Sequence, residues 1–115
     1  MEIAKYILSI FKHYTAIVLS WGAHNYTAIE ANEEGEGGLL FNVEGFKFRG
    51  QVKVMLNFMD TFDIYLLQNG SVVETIKDVY LDSLVEVIDN RIEYTPDYAQ
   101  RVKNEYSLKR ARVIL

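Results

Sequence analysis

The sequence predicts an α+β domain: an N-terminal helix, an antiparallel meander of four to five strands, and one or two C-terminal helices packed on one face of the sheet. Three observations carry this. From Phe46 to Phe58 every even position is apolar or glycine, and every odd position except Met55 is polar. Side chains in a strand point alternately to opposite faces, so this run reads as one long strand with a greasy side and a wet side. A sheet with one solvated face is antiparallel. Apolar residues at helical spacing bracket the stretch from Leu39 to Ile76 on both sides, and Asn69-Gly70 marks a tight hairpin within it.

Taken in order, Ile3, Tyr6, Ile7, Ile10, Phe11 and Tyr14 form an amphipathic stripe, with Glu2, Lys5, Ser9 and Lys12 between them. The stripe continues through Ile17, Val18 and Trp21, which allows one long helix to Gly22. The β-branched, apolar character of Thr15 to Leu19 favours the other reading: a helix ending near Lys12, then a buried strand over Thr15 to Ser20. Trp21 to Tyr26 reads as a corner at Gly22, Thr27 to Asn32 gives no clear signal, and Glu33 to Gly38 reads as an exposed, acidic, glycine-rich loop. That loop has neither the lysine nor the setting of a phosphate loop.

Leu39, Phe41 and Val43 alternate with polar residues, and a two-residue turn at Glu44-Gly45 would pair Val43 with Phe46 and Phe41 with Phe48. After the long strand, Met59-Asp60-Thr61 turns the chain. Phe58 would then pair with Phe62, Leu56 with Ile64 and Val54 with Leu66, setting Tyr65 opposite Met55 and Asp63 opposite Asn57. Val72 to Ile76 is the return strand of the Asn69-Gly70 hairpin. Its sidedness is ambiguous, because Val72 and Ile76 fall opposite Val73. Asp78 is placed to cap a helix with the stripe Leu81, Leu84, Val85, Ile88 and Ile92, and with Asp82, Glu86, Asp89 and Glu93 as a solvent row. Thr95-Pro96-Asp97 begins a second helix carrying Tyr98, Val102 and Tyr106.

The 115 residues make one domain, expected over 1–108 with a basic tail over 109–115. Half the residues are hydrophobic, 24% are charged and none is cysteine, which describes a globular chain with neither disulfides nor thiolate metal sites. The net charge of −4 argues against a general nucleic-acid binder. It is unevenly spread: Pro96 to Leu115 holds five bases against two acids, +3, leaving −7 on the remainder. Lys5 interrupts the only apolar run near the start, and no run reaches the ~18 residues of a membrane span. A cytoplasmic protein without membrane contact is expected.

In this order the chain resembles a widespread group of short α+β proteins of bacteria, phages and mobile elements. The matching residues are Ile7-Leu8, Gly22-Ala23-His24-Asn25-Tyr26, Gly38-Leu39 with Phe41, Val52 to Asn57, Asp60 to Ile64 and Val79 to Leu84. They span roughly residues 3–93. The chain lacks the glycine pair usual after the first helix. The resemblance implies a helix, a strand, the glycine-alanine corner, a meander and a C-terminal helix, and it brings no activity or site with it.

For chemistry, a hydrolase needs a nucleophile with a base, or paired carboxylates in a cleft. The histidines are His13 and His24, and a metal site would need one of them beside Asp60 or Asp63. Nothing in the sequence joins them, and aspartates flanking a turn commonly bond backbone amides. No catalytic residue, metal or cofactor is therefore assigned. The binding residues assigned are Lys47, Arg49 and Lys53 on the wet face, beside Gln51, with Tyr65 from the neighbouring strand. Bases beside an exposed aromatic suit single-stranded nucleic acid, but Lys and Arg on a sheet face also deter aggregation. The expected function is a non-enzymatic accessory or protein-interaction module whose partner is another protein or a second copy. The alternatives are a single-stranded nucleic-acid binder using the basic face and, further off, a metal-dependent hydrolase.

Overall fold

The computed structural model describes residues 2–94, so the Thr95-Pro96 helix and the basic tail lie outside the described residues. Five strands form one antiparallel sheet in sequence order: β1 (His24–Ile29), β2 (Gly37–Glu44), β3 (Arg49–Leu56), β4 (Phe62–Gln68) and β5 (Ser71–Val79). Helices α1 (Glu2–Lys12), α2 (Thr15–Ser20) and α3 (Leu84–Ile92) supply the apolar layer, with a 3₁₀ turn at Leu81–Ser83 leading into α3. Ala4, Ile7, Phe11, Val18 and Trp21 from the N-terminal side meet Leu39, Phe41, Val52, Val54 and Ile64 of the sheet, and Leu84, Val85, Ile88 and Ile92 of α3 complete the core. The α+β meander is as the periodicity requires.

The expected strand at Thr15 to Ser20 is a helix. The uninterrupted helix is not formed either. His13 and Tyr14 bond back three residues, to Ile10 and Phe11, and Thr15 Oγ1 donates to the Lys12 carbonyl at 2.8 Å. Tyr14 (φ −128°) breaks the helical run before α2 restarts. Packing overrides β propensity here. Only a helix puts Val18 and Trp21, three residues apart, on one side, and the propensity penalty of three β-branched residues is below ~2 kcal/mol. Trp21 ends α2, and the chain turns through Gly22 at φ +64° into β1, which takes in the second half of the expected corner and the first half of the segment without clear signal.

Both expected hairpin registers shift by an even number, which preserves sidedness. Phe41 pairs with Val52, not Phe48, and Val43 with Gly50. The connection is the four residues Gly45 to Phe48 because it receives the end of α3. Lys47 N donates to the Ile92 carbonyl (2.7 Å) and Phe46 N to Glu93 Oε2 (2.7 Å). This satisfies groups that a helix end leaves open. A Cβ on Gly45 would collide with the Ile92 side chain and carbonyl, so the approach needs glycine. Phe46 is left 62% exposed.

At the next turn Leu56, not Phe58, pairs with Phe62, Val54 pairs with Ile64, Tyr65 with Lys53 and Asp63 with Met55. Asn57 sets this. It is buried, its Oδ1 accepts from the amides of Met59 (2.9 Å) and Thr61 (3.2 Å), and its Nδ2 donates to Asp63 Oδ1 (3.0 Å). Phe58 is thereby turned outward. Asn69 and Gly70 both take positive φ, the two-residue hairpin their identities signal. β5 resolves its own ambiguity with a register shift between Leu66 and Leu67: Ile76 pairs with inward-facing Ile64, and Val72 with outward-facing Leu67.

Asp78 does not cap α3. It lies within β5 at φ +59°, where its amide donates to Asp63 Oδ1 at 3.1 Å. The acidic row of α3 is also only partly a solvent row. Asp82 and Glu86 are exposed, but Asp89 accepts from Trp21 Nε1 at 3.0 Å and Glu93 is buried against the Phe46 amide.

Replacing Asn57 with alanine removes the acceptor of the Met59 amide and of the buried Thr61 amide and leaves Asp63 without its buried donor, so Asn57→Ala lowers unfolding free energy by about 2–4 kcal/mol in urea titrations. Asp60, at φ +61° in the same turn, is exposed, and Asp60→Gly stays within about 1 kcal/mol of the parent.

Candidate functional site

The outward face of β3 presents Arg49, Gln51 and Lys53, since Val52 and Val54 point into the core. Tyr65 stands opposite Lys53 in β4. Of the four residues assigned from sequence, these two touch: Lys53 Nζ lies 4.5 Å from the centre of the Tyr65 ring. Arg49 is exposed at the far end of the strand. Lys47 precedes the strand, in the connection that bonds to the end of α3. An acid that sequence reasoning did not place also reaches this face. Glu34, from the glycine-rich loop, sits 3.0 Å from Lys53 Nζ. The middle of the patch is therefore an ion pair over an aromatic ring. Partial burial, then the charges of Asp63 and Glu34, push the Tyr65 hydroxyl above its ordinary value of 10.0. Gln51 Nε2 donates to Asn42 Oδ1 (3.2 Å), and Met55, at the other end of the face, is fully buried.

Of the aspartates weighed for a metal site, Asp60 is exposed in the turn and Asp63 serves structure. Asp63 accepts from the Asn57 side chain and the Asp78 amide, and Asp78 Oδ1 lies 3.4 Å from both Asn57 Nδ2 and Thr61 Oγ1. Together they clasp the β3–β4 turn to the end of β5. His24 Nδ1 contacts the Gly22 carbonyl at 2.7 Å, which tightens its own corner. Among the described residues no group of three histidine, aspartate or glutamate side chains is arranged to hold a metal. None of their helices is long and apolar enough to cross a membrane.

A second feature lies on the opposite layer. Between the bent α1–α2 pair and β1 runs an open apolar groove of about 460 Å³. α1 lines it with Lys5, Leu8, Phe11 and Lys12, α2 with Thr15, Val18 and Leu19, and β1 with Tyr26. Leu8 and Leu19 are eleven residues apart, about three helical turns, so helical spacing sets both on the side of the α1–α2 pair that faces this opening, with the break at His13 and Tyr14 between them. Leu19 is 71% exposed at its rim. Tyr26 packs 5.5 Å from Phe41, and burial raises its hydroxyl above 10.0. Sequence reasoning passed over this groove. The available signal was Leu8 and Leu19, large apolar residues off the main helical stripe.

No family model, curated protein or solved structure matches the chain.

A folded-state hydroxyl raised above 10 favours neutral tyrosine. Tyr26 and Tyr65 contribute stability that is complete below pH 10 and lost as pH climbs through their folded values. In protein carrying ring-labelled tyrosine, NMR titration places both above 10.0. Glu34→Gln, which removes one raising charge, moves Tyr65 downward and leaves Tyr26 where it was.

Proposed function

We propose that this chain is a non-enzymatic protein-interaction module that seats its partner in the groove between α1–α2 and β1. The observation that carries the reading is the groove itself: an apolar concavity within the size range of binding sites, with a large aliphatic side chain held in water at its rim. Leaving Leu19 exposed gains the isolated domain nothing, whereas a partner that covers it removes apolar surface from water at roughly 25 cal/mol per Å². Of the two aspartates considered for catalysis, Asp63 is engaged in the turn clasp and Asp60 stands exposed outside it, which supports a binding role over a hydrolytic one. A chain without cysteine suits a reducing, cytoplasmic setting.

The outer face gives weaker support to nucleic acid. Lys53 is engaged by Glu34, and Lys47 lies off the strand that was to align it with Arg49. Three cations in register would release counterions together, but those remaining are separated and few.

Affinity capture with three forms of the protein separates the faces. Leu19→Glu stays within about 0.5 kcal/mol of parental stability, because the site is exposed, and loses the partner. The triple variant Lys47→Glu, Arg49→Glu, Lys53→Glu keeps it. The opposite pattern, capture by Leu19→Glu and none by the triple variant, assigns the interaction to the outer face and ends the groove reading.

A further inference from the structure

We infer that the occupant of this groove is an extended, acidic peptide segment that adds to β1 as a sixth strand. The inference rests on the groove being the interaction site and specifies what enters it. Two observations carry it: the wall the groove offers, and its charge.

The wall is a strand edge. β1 ends the sheet order and pairs only with β2, so one line of its backbone N–H and C=O groups faces away from the sheet, beside the groove. Open edges invite pairing, and chains usually protect them with charge, proline or bulges. Both edges carry a register irregularity, β1 one between His24 and Thr27, but they differ in charge. β5 carries Glu74, Lys77 and Asp78 and has two register shifts. β1 reads His-Asn-Tyr-Thr-Ala-Ile, without proline or any acid, lysine or arginine, and Thr27, Ala28 and Ile29 pair with β2 in an unbroken run. An added strand would take its main-chain bonds from that run. Every second side chain would point to the inner layer, where Tyr26, Leu8 and Leu19 form an apolar lining. A helix in the same groove would leave the edge groups to water, and a small amphiphile would not be enclosed by so open a site.

The charge selects the segment. The described residues hold fourteen acids and seven bases, yet the groove is lined by two lysines and no acid. Neither Lys5 nor Lys12 has an ion-pair partner among the described residues. They sit two helical turns apart, about 10 Å along α1. Inward-facing positions of a strand recur about every 7 Å, so carboxylates near both ends of a short segment fall within reach of the two flexible side chains. The other described residues, fourteen acids against five bases, repel such a segment, which favours this site over the rest of the described surface.

The probe is a phage-displayed library of random twelve-residue peptides, selected against the whole chain, with enriched peptides resynthesised and measured by fluorescence anisotropy. The selected peptides are expected to alternate apolar residues with Asp or Glu, and to bind less tightly as salt rises. Lys5→Glu with Lys12→Glu is expected to weaken the lead peptide about tenfold or more. The uncharged pair Lys5→Gln, Lys12→Gln checks that the loss follows charge, and circular dichroism checks that both variants fold. On saturation with peptide, alternate amides between Tyr26 and Ile29 should exchange about tenfold more slowly or more, and N-methylation at alternate peptide positions should abolish binding. Slowed exchange confined to α1 and α2, or a lead that tolerates every N-methyl group, overturns strand addition and leaves the groove as the binding site. Peptides enriched in Lys or Arg overturn the charge assignment. A library yielding no peptide that Leu19→Glu blocks overturns both this inference and the groove reading beneath it.

Discussion

Trp21 is the residue through which the two layers of this domain are joined. Its side chain is wholly buried, lies nearly parallel to Phe41 at 6.4 Å, and meets the edge of Phe11 at 5.7 Å. Its ring nitrogen donates to Asp89 on α3, and its carbonyl accepts from the Glu44 amide at the end of β2. One side chain thus ties α1, α2, β2 and α3 together. Burying an indole of 150–250 Å² stabilises by on the order of 4–6 kcal/mol, provided the ring N–H keeps a partner. Asp89 supplies it. Six residues are too few for a helix to stand alone, so α2 exists because Trp21 anchors its last turn.

This anchor determines what the helices cover. They are drawn toward Phe41 in β2, away from the edge, and β1 is left with Tyr26 under the bend of α1–α2 and an open backbone beside it. The sheet itself is pinned at both ends. At one end, Asn57, Thr61, Asp63 and Asp78 hold the β3–β4 turn against β5. At the other, the last carbonyl of α3 and the Glu93 side chain hold the Gly45 to Phe48 connection. Rigid surroundings give the groove a fixed shape, which reduces the ordering that a partner must supply on binding.

The sheet was legible from sequence because period-2 alternation survives any even slip in register. Residues within the strands sort to the right face even where the expected pairings are off by two or four, while Phe46 and Phe58, expected at the ends of one long strand on the core face, fall in the turns on either side of β3 and are exposed. What the alternation could not show was how many residues each turn consumes. That depends on contacts from far along the chain: Ile92 and Glu93 widening the first turn, and Asp78 reaching back to the second. The helix at Thr15 to Ser20 was misread for a related reason. Its local residues favour a strand, and the deciding contact, Trp21 against Phe41 and Asp89, joins positions up to 68 apart. On the outer face, alternation correctly placed Arg49, Gln51 and Lys53 together, while Glu34, arriving from a loop, changed the charge they present. Helical spacing already sets Leu8 and Leu19 on one side, but the groove also needs Tyr26, and the packing of the helices over β1 and β2 had to be known before Tyr26 could be brought beside them.

The central claim is that the helical cover is centred on β2 and leaves β1 as an open edge. Residue-resolved amide exchange of the free protein at low concentration tests it most directly. The account predicts that β2 and β3 amides exchange only through opening of the whole domain, and that within Tyr26 to Ile29 the outward-facing amides exchange orders of magnitude faster than their neighbours bonded to β2. Uniform protection across β1, equal to that of β2, would contradict it, because the edge would then already be covered.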